Sequence, residues 1–309
     1  MTIFLLRRLG QSLVALFGVM TLVFFIQRLT GDPTYLLVPE TATQADIEAM
    51  RHALGLDRAL VVQYVDFLWD TLRFDFGKSF IQNVPVTTII ASRLPYTLQL
   101  AGGALLVAIA IGLPVGLLLA LARKQRWTNI LMGVVLAAQS MPTFWSGILM
   151  ILLFGVGLGW LPPSGSGSFA HLIMPSIALG LLSMATYARI TRSSVLDELS
   201  KDYIRSAKAR GVKTGRLVTR HLLRNSAIPV ISITALEISQ LLAGAVIVET
   251  VFAWPGLGLL TVQSVVSRDF VVVQGVVLLG ALVTIMMNFL ADILYSFVDP
   301  RIRLDGVSG

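Results

Sequence analysis

The chain has 309 residues, of which 55% are hydrophobic and 13% charged, with a mean hydropathy of +0.80. A soluble domain carries about 25% charged residues, so these values argue against a water-soluble globule and for an integral membrane protein. The absence of cysteine excludes disulfides and thiolate metal sites, and three histidines leave little for a metal centre. The net charge of +7 could attract nucleic acid, but its placement between apolar runs is the positive-inside pattern of membrane proteins.

A spanning helix needs about 20 apolar residues, and six segments qualify. The first runs from about Leu9 to Ile26 behind Arg7 and Arg8. A signal peptide, including a twin-arginine signal, is the rival reading. The run is too long for such a core, and Gln27-Arg28-Leu29-Thr30 is a poor cleavage site, so a retained helix is expected.

Residues 31–95 form the sizeable stretch outside the membrane, with acids and bases mixed. Thr43 with Asp46 reads as a capping box and Gly55 as a helix stop. Val61, Val65, Leu68 and Leu72 then recur at helical spacing, which predicts two or three short helices packed on the outer membrane face. Gly77-Lys78-Ser79 resembles the end of a phosphate-binding loop, but Leu72 stands where the motif needs glycine, so nucleotide binding is not expected.

The second apolar run is Thr97 to Ala122 and the third reaches from about Ile130 to Trp160, where Pro142 predicts a kink or tilt. The fourth is Leu172 to Ala188, the fifth Ile228 to Phe252 and the sixth Val271 to Val298. Arg123, Lys124 and Arg126 follow the second run. Arg189, Arg192, Lys201, Arg205, Lys208, Arg210, Lys213, Arg216, Arg220 and Arg224 lie between the fourth and fifth. The opposite loops are poor in basic residues: 161–170 has no charge, and the last holds Glu249, Arg268 and Asp269. Both termini and the basic loop are therefore expected in the cytoplasm. The expected fold class is an all-α integral membrane protein. It has six transmembrane helices, a small helical outer segment between the first two, and a cytoplasmic helix between the fourth and fifth. Its parts are 1–30, 31–95 and a five-helix core over 96–309 whose inner loop spans 189–227.

No Ser-His-Asp or metal-ligand spacing occurs, so no catalytic or metal site is expected. Within the inner loop, the small residues Ser206, Ala207 and Ala209 make a helix that a partner can approach closely, and Gly211 ends it. Residue chemistry leaves two readings open there: a helix docked in a partner's groove, or a solvated basic loop that sets topology or touches anionic lipid.

The stretch Asp202-Tyr203-Ile204-Arg205-Ser206-Ala207-Lys208-Ala209-Arg210-Gly211 resembles the coupling-helix motif of ABC importer permeases. With Arg220-His221-Leu222-Leu223-Arg224-Asn225 and Ile228-Pro229, it is similar to the dipeptide/oligopeptide/nickel permease family, of the first-permease type. Leu54-Gly55-Leu56-Asp57, Phe74-Asp75-Phe76-Gly77, Arg93-Leu94-Pro95 with Thr97, Pro142 with Phe144-Trp145, and Leu158-Gly159-Trp160-Leu161-Pro162 agree. The most specific block is Val248-Glu249-Thr250-Val251-Phe252-Ala253-Trp254-Pro255-Gly256-Leu257-Gly258, and Asn288, Asp292, Tyr295 and Asp299-Pro300-Arg301 close the chain. Ala59, Val271 and Glu237 depart from the family pattern, which has proline at the first two and a neutral Gln at the third.

The resemblance implies an ATP-driven importer in the bacterial cytoplasmic (inner) membrane. A second permease subunit would complete the pathway, and two cytoplasmic ATPases would carry ATP and magnesium and grip the coupling helices. A periplasmic solute-binding protein would deliver a peptide-like solute. The chain itself would hold no cofactor, bind no nucleic acid and be no enzyme. Its coupling residues would be Asp202, Tyr203, Arg205, Ser206, Ala207, Ala209, Arg210 and Gly211. Glu249, Trp254, Pro255 and Gly256 would lie on the side of the binding protein.

Polar residues inside lipid face a cavity or a partner. Thr234, Glu237, Gln240 and Gly244 share one broad face of the fifth helix, and Thr284, Asn288, Asp292 and Tyr295 one of the sixth. Of these, Thr234, Glu237, Gln240, Gly244, Asn288 and Asp292 are the candidate pathway residues. The competing role is helix–helix adhesion, favoured for Asn288 and Tyr295, whereas a mid-helix carboxylate such as Glu237 points to the pathway. Asp292 lies near the inner face, in reach of headgroup water or a basic neighbour. A secondary transporter or channel without ATPases is the alternative function, and a membrane receptor or scaffold a further one. No repeat between the halves supports the former, and the polar stripes argue against the latter.

Overall fold

The computed structural model describes residues 2–29, 34, 38, 41–122, 125–212 and 223–298, and every helix in it follows from an apolar run or a cap. Arg123, Lys124, Lys213, Arg216, Arg220, His221, Leu222 and Asp299-Pro300-Arg301 lie outside the described residues. Five helices are long and apolar enough to span a bilayer: α1 (Thr2–Leu29), α4 (Val86–Leu121), α7 (Phe169–Ser200), α9 (Leu223–Val251) and α11 (Phe270–Val298). The remaining apolar run is broken. Helix α5 (Gln125–Ser140) meets α6 (Thr143–Met150) and its π-helical continuation Ile151–Gly157 at a bend of 99°. Proline has no amide hydrogen and disfavours helix in the residue before it. Pro142 therefore ends α5 and starts α6, its carbonyl accepting from Trp145 N and Ser146 N. The result is a corner rather than the kink expected from sequence, so the sixth span is present only as a bent pair.

Two helices outrun the membrane. With 36 residues at about 1.5 Å each, α4 is about 54 Å long against a hydrocarbon core of about 30 Å. It begins at Val86, so residues 86–95 of the stretch read as outer segment are continuous with the second span. Helix α7 has 32 residues and carries its apolar face past Ala188 to Ser200, taking in the first basic residues of the inner loop.

The core sits where α4, α7 and α9 meet, with Leu100, Ala104, Met174, Ala178, Leu241 and Ala245 buried together. Small residues let α4 and α7 approach to backbone contact: a methyl built on Gly112 would stand 2.7 Å from Met184 O, and one on Gly116 2.5 Å from Ala188 O. This is the small-residue packing that replaces the hydrophobic effect between helices in lipid.

The outer segment holds α2 (Gln44–Ala53) and α3 (Leu60–Leu72). Thr43 and Asp46 form the expected capping box, and Gly55, at φ +66°, closes α2 with Leu56 N bonded to Arg51 O. Helix α3 lies on α1, where Tyr64 shares a 2.6 Å hydrogen bond with Thr21 and its ring packs edge-on to Phe24. Of the stripe Val61, Val65, Leu68 and Leu72, Leu68 packs inward while the other three stay exposed. Helix α1 is also tied to α11 by an ion pair of 3.2 Å between Arg8 and Asp292, the basic neighbour anticipated for that carboxylate.

Candidate functional sites at the two ends of the helix bundle

At the end of the bundle read from the sequence as the inner one, α8 (Asp202–Ala209) follows α7 after a single residue. Glu198, buried in the last turns of α7, accepts from Tyr203 Oη and Lys201 Nζ, so the short helix is fastened to the long one. The same bond to Glu198 holds the Lys201 ammonium above the usual lysine range. Gly211, at φ +77°, ends α8: Val212 N bonds Ala207 O at 3.2 Å, and Val212 packs back on Ile204 and Ala207. This is a six-to-one helix stop with its accompanying apolar contact.

The coupling candidates divide between two faces. Ala207 turns inward with Ile204 against Leu199 and Val212, so its methyl group is not on the open side. Asp202, Arg205, Ser206, Ala209, Arg210 and Gly211 are exposed, and Tyr203 is 37% exposed. Asp202 pairs with Arg205 at 3.5 Å, and Arg210 Nε donates to Ser206 O. The open face is thus built on Tyr203, Ser206 and Arg210, three and four residues apart.

In the membrane, the polar stripe of α9 also divides. Tyr187 of α7 donates to Thr234 Oγ1 at 3.0 Å, and Thr234 donates to Val230 O. Glu237 is buried and faces α7, with the Ser183 hydroxyl within hydrogen-bonding reach and its Oε2 without a hydrogen-bond partner. Gln240 is exposed, Gly244 lies half-buried against Leu179, and Asn288 on α11 is exposed. Glu237 and Gln240 therefore do not look the same way. They stand three residues apart, about 60° from each other around the helix, so the edge of the buried face of α9 runs between them.

At the opposite end of the bundle, read from the sequence as the outer one, the chain makes a densely bonded junction. Glu249 sits in the last turn of α9 rather than in an open loop, with no exposed surface. Its Oε1 accepts from Thr97 Oγ1 of α4 at 2.7 Å, and its Oε2 accepts from Gly258 N at 2.6 Å and Leu259 N at 3.1 Å. Those two amides open α10 (Leu257–Val266), whose first amide, Leu257 N, bonds back to Thr97 Oγ1 at 2.8 Å. A carboxylate at a helix N-terminus satisfies orphan amides and meets the positive end of the dipole. Trp254 is buried, its Nε1 donating to Tyr96 O at 2.8 Å. Pro255 is half-buried and Gly256 buried. The approach is so close that a methyl on Gly256 would stand 2.2 Å from Glu249 Oε1. Sequence reading missed Thr97 as the partner of Glu249, because the two are 152 residues apart. It also missed Glu198, which nothing in the sequence singles out from its neighbours Asp197 and Asp202.

Among the described residues no group of His, Asp and Glu could hold a metal ion. What the two ends offer is mechanical: a fastened inner helix with an open face, and a carboxylate-locked outer junction.

Comparison with known proteins bears on both ends. Residues 112–304 match the model of the binding-protein-dependent transport system inner membrane component, and residues 1–101 match its N-terminal counterpart. The di/tripeptide transport system permease protein DppB of Pseudomonas aeruginosa is 39% identical over 97% of this chain and 98% of its own length. The dipeptide permease DppB of Escherichia coli K12 is 37% identical over 97% and 98%. An inward-facing structure of the MetNI methionine ABC transporter aligns with a TM-score of 0.59 and 19% identity, covering 68% of this chain and 96% of the solved one. That likeness extends the common fold to a distant sequence.

Proposed function

The chain belongs to the binding-protein-dependent transport system inner membrane component family, and on that premise we propose that it is a permease subunit of an ATP-driven peptide importer. It is a multi-pass membrane protein and a transport subunit rather than an enzyme. The observation that carries the reading is that both family segments, together covering nearly the whole chain, coincide with relatives that are peptide permeases along their full length. Family membership also favours this reading over a secondary transporter or channel.

In this reading a second permease subunit completes the path, and a periplasmic solute-binding protein delivers the peptide. Two ATPases carry ATP and Mg²⁺. Helix α8 meets one of them through Tyr203, Ser206 and Arg210, while Ala207 holds α8 to its own chain from behind. Gln240 and Gly244 of α9 and Asn288 of α11 line the path on their open sides, and Thr234, Glu237 and Asp292 support those helices from within. Both termini face the cytoplasm.

Co-purification in mild detergent tests the assembly: two ATPases and a second permease are expected with this chain, and its isolation alone, with uptake of peptide intact, would overturn the reading. Ser206→Trp tests the face. It is expected to abolish uptake while the chain inserts normally, whereas unimpaired uptake removes that face from the joint.

A further inference from the structure

An aspartate placed just before a helix ordinarily accepts hydrogen bonds from that helix's own first amides. Asp269 immediately precedes α11 but spends its carboxylate elsewhere. Oδ2 accepts from Ser79 Oγ at 2.5 Å and Oδ1 from Phe80 N at 3.2 Å, across 190 and 189 residues of chain. Both side chains are buried, Ser79 to 2% and Asp269 to 3% exposure.

Each end of this bond is rigid. Ser79 belongs to a tight hairpin: its amide bonds Val84 O, its hydroxyl accepts from Gln82 N, and Val86 N bonds Gly77 O where α4 begins. Asp269 N bonds Ser264 O of α10, and the intervening Arg268 is held at φ +59°, a left-handed conformation that costs a non-glycine residue energy. Helix α10 is therefore gripped at both ends by carboxylates. Glu249 and Thr97 hold its start to α9 and α4, and Asp269 holds its end to the hairpin of the outer segment. Between the grips α10 leaves Val262, Val265 and Val266 exposed.

We propose that Asp269 is a positioning residue that gears the outer segment to α10, so that a solute-binding protein seated on the outer face moves both as one body. This rests on the importer reading above. A bond that served folding alone would set how much complex assembles. A gear sets how strongly the outer partner is felt by the ATPases.

The test uses the whole complex in lipid nanodiscs, with ATP hydrolysis measured per assembled complex, with and without binding protein loaded with alanyl-alanine. Ser79→Ala, Asp269→Ala and the double variant are expected to keep basal hydrolysis. Stimulation by the binding protein should fall about fivefold or more, the lower edge of typical coupling between sites. The double variant should be no worse than either single one. If Asp269→Ala fails to assemble, Ser79→Ala decides, since it removes a single oxygen. Stimulation that survives Ser79→Ala overturns the gearing and leaves the importer reading standing. No stimulation in the unaltered complex overturns the peptide-importer reading itself.

Discussion

Thr97→Val is the sharpest probe of the outer junction, because it replaces a hydroxyl by a methyl of similar size. In the native protein Thr97 Oγ1 donates to Glu249 Oε1 and accepts from Leu257 N, all in a setting where Thr97 is 4% exposed. Valine leaves a buried amide without its partner and a buried carboxylate one bond short. Orphaning the amide costs about 1–3 kcal/mol and the lost bond to the carboxylate about 1 kcal/mol, so the variant is expected to cost about 2–4 kcal/mol. The loss falls on the seating of α10 rather than on the spans, so hydrogen exchange is the suitable assay. Exchange of the Gly258 and Leu259 amides, which bond the same carboxylate, should accelerate roughly 30- to 700-fold at about 1.4 kcal/mol per decade. Thr97→Ser keeps the hydroxyl and should stay near the native rate. Unchanged exchange in Thr97→Val would refute the view that Thr97 and Glu249 seat α10.

Gly112→Ala and Gly116→Ala each force a methyl against backbone of α7, at 2.7 Å and 2.5 Å, and overpacking of that kind costs about 1–3 kcal/mol; thermal unfolding of the solubilised complex should show a lower Tm for each. Arg8→Ala removes the half-exposed pair with Asp292 and should cost about 1 kcal/mol or less. Its double variant with Asp292→Asn should be no less stable than either single variant, as read by protease resistance of α1. In α2, hydrogen bonds from the Thr43 side chain and backbone hold the Asp46 carboxyl below its ordinary value of 3.8. The stabilisation this gives is complete above that value and is lost as pH falls through the lower folded one. Circular dichroism should therefore find a smaller helix loss in that acid step for Thr43→Ala, which keeps only the backbone bond, than for the native segment.

What the sequence made legible is what chain-local chemistry controls. The capping box at Thr43, the stops at Gly55 and Gly211, and the limits of α9 and α11 to within a few residues follow from caps, left-handed glycines and hydropathy. The end of α9 shows the boundary of that method. Ala253 takes the left-handed position, at φ +49°, where glycine is the usual sign, so the stop was marked by hydropathy and the following Pro255-Gly256 rather than by its own residue. Helix α4 begins at Val86 because its first turns pack into a pocket of Leu260, Val272 and Val276, a contact invisible beside Arg93 and Pro95. Ala207 has the small size of a docking residue, but only its position on α8 tells that the methyl faces home. Glu249 looked like an outer charge because nothing near it in sequence names Thr97. For α4 and Glu249 the missing information was a partner far along the chain.

Those distant partners have a common consequence for how force can travel. Helix α7 lies against α4 so closely that backbone meets backbone at Gly112, Gly116 and Gly180. Small residues there leave no flexible side chain to absorb a displacement, and packed interiors transmit strain. At its inner end α7 is fastened to α8 through Glu198, Lys201 and Tyr203. At its outer end α4 carries Thr97, which holds the start of α10 and the carboxylate of α9 together. A continuous line of contacts thus runs from α8 along α7 to α4 and from α4 to α10. The break at Pro142 lies off this line, between α5 and α6. Stiff elements joined by buried polar bonds at both faces are what a subunit needs if events at the inner helix are to set the outer junction.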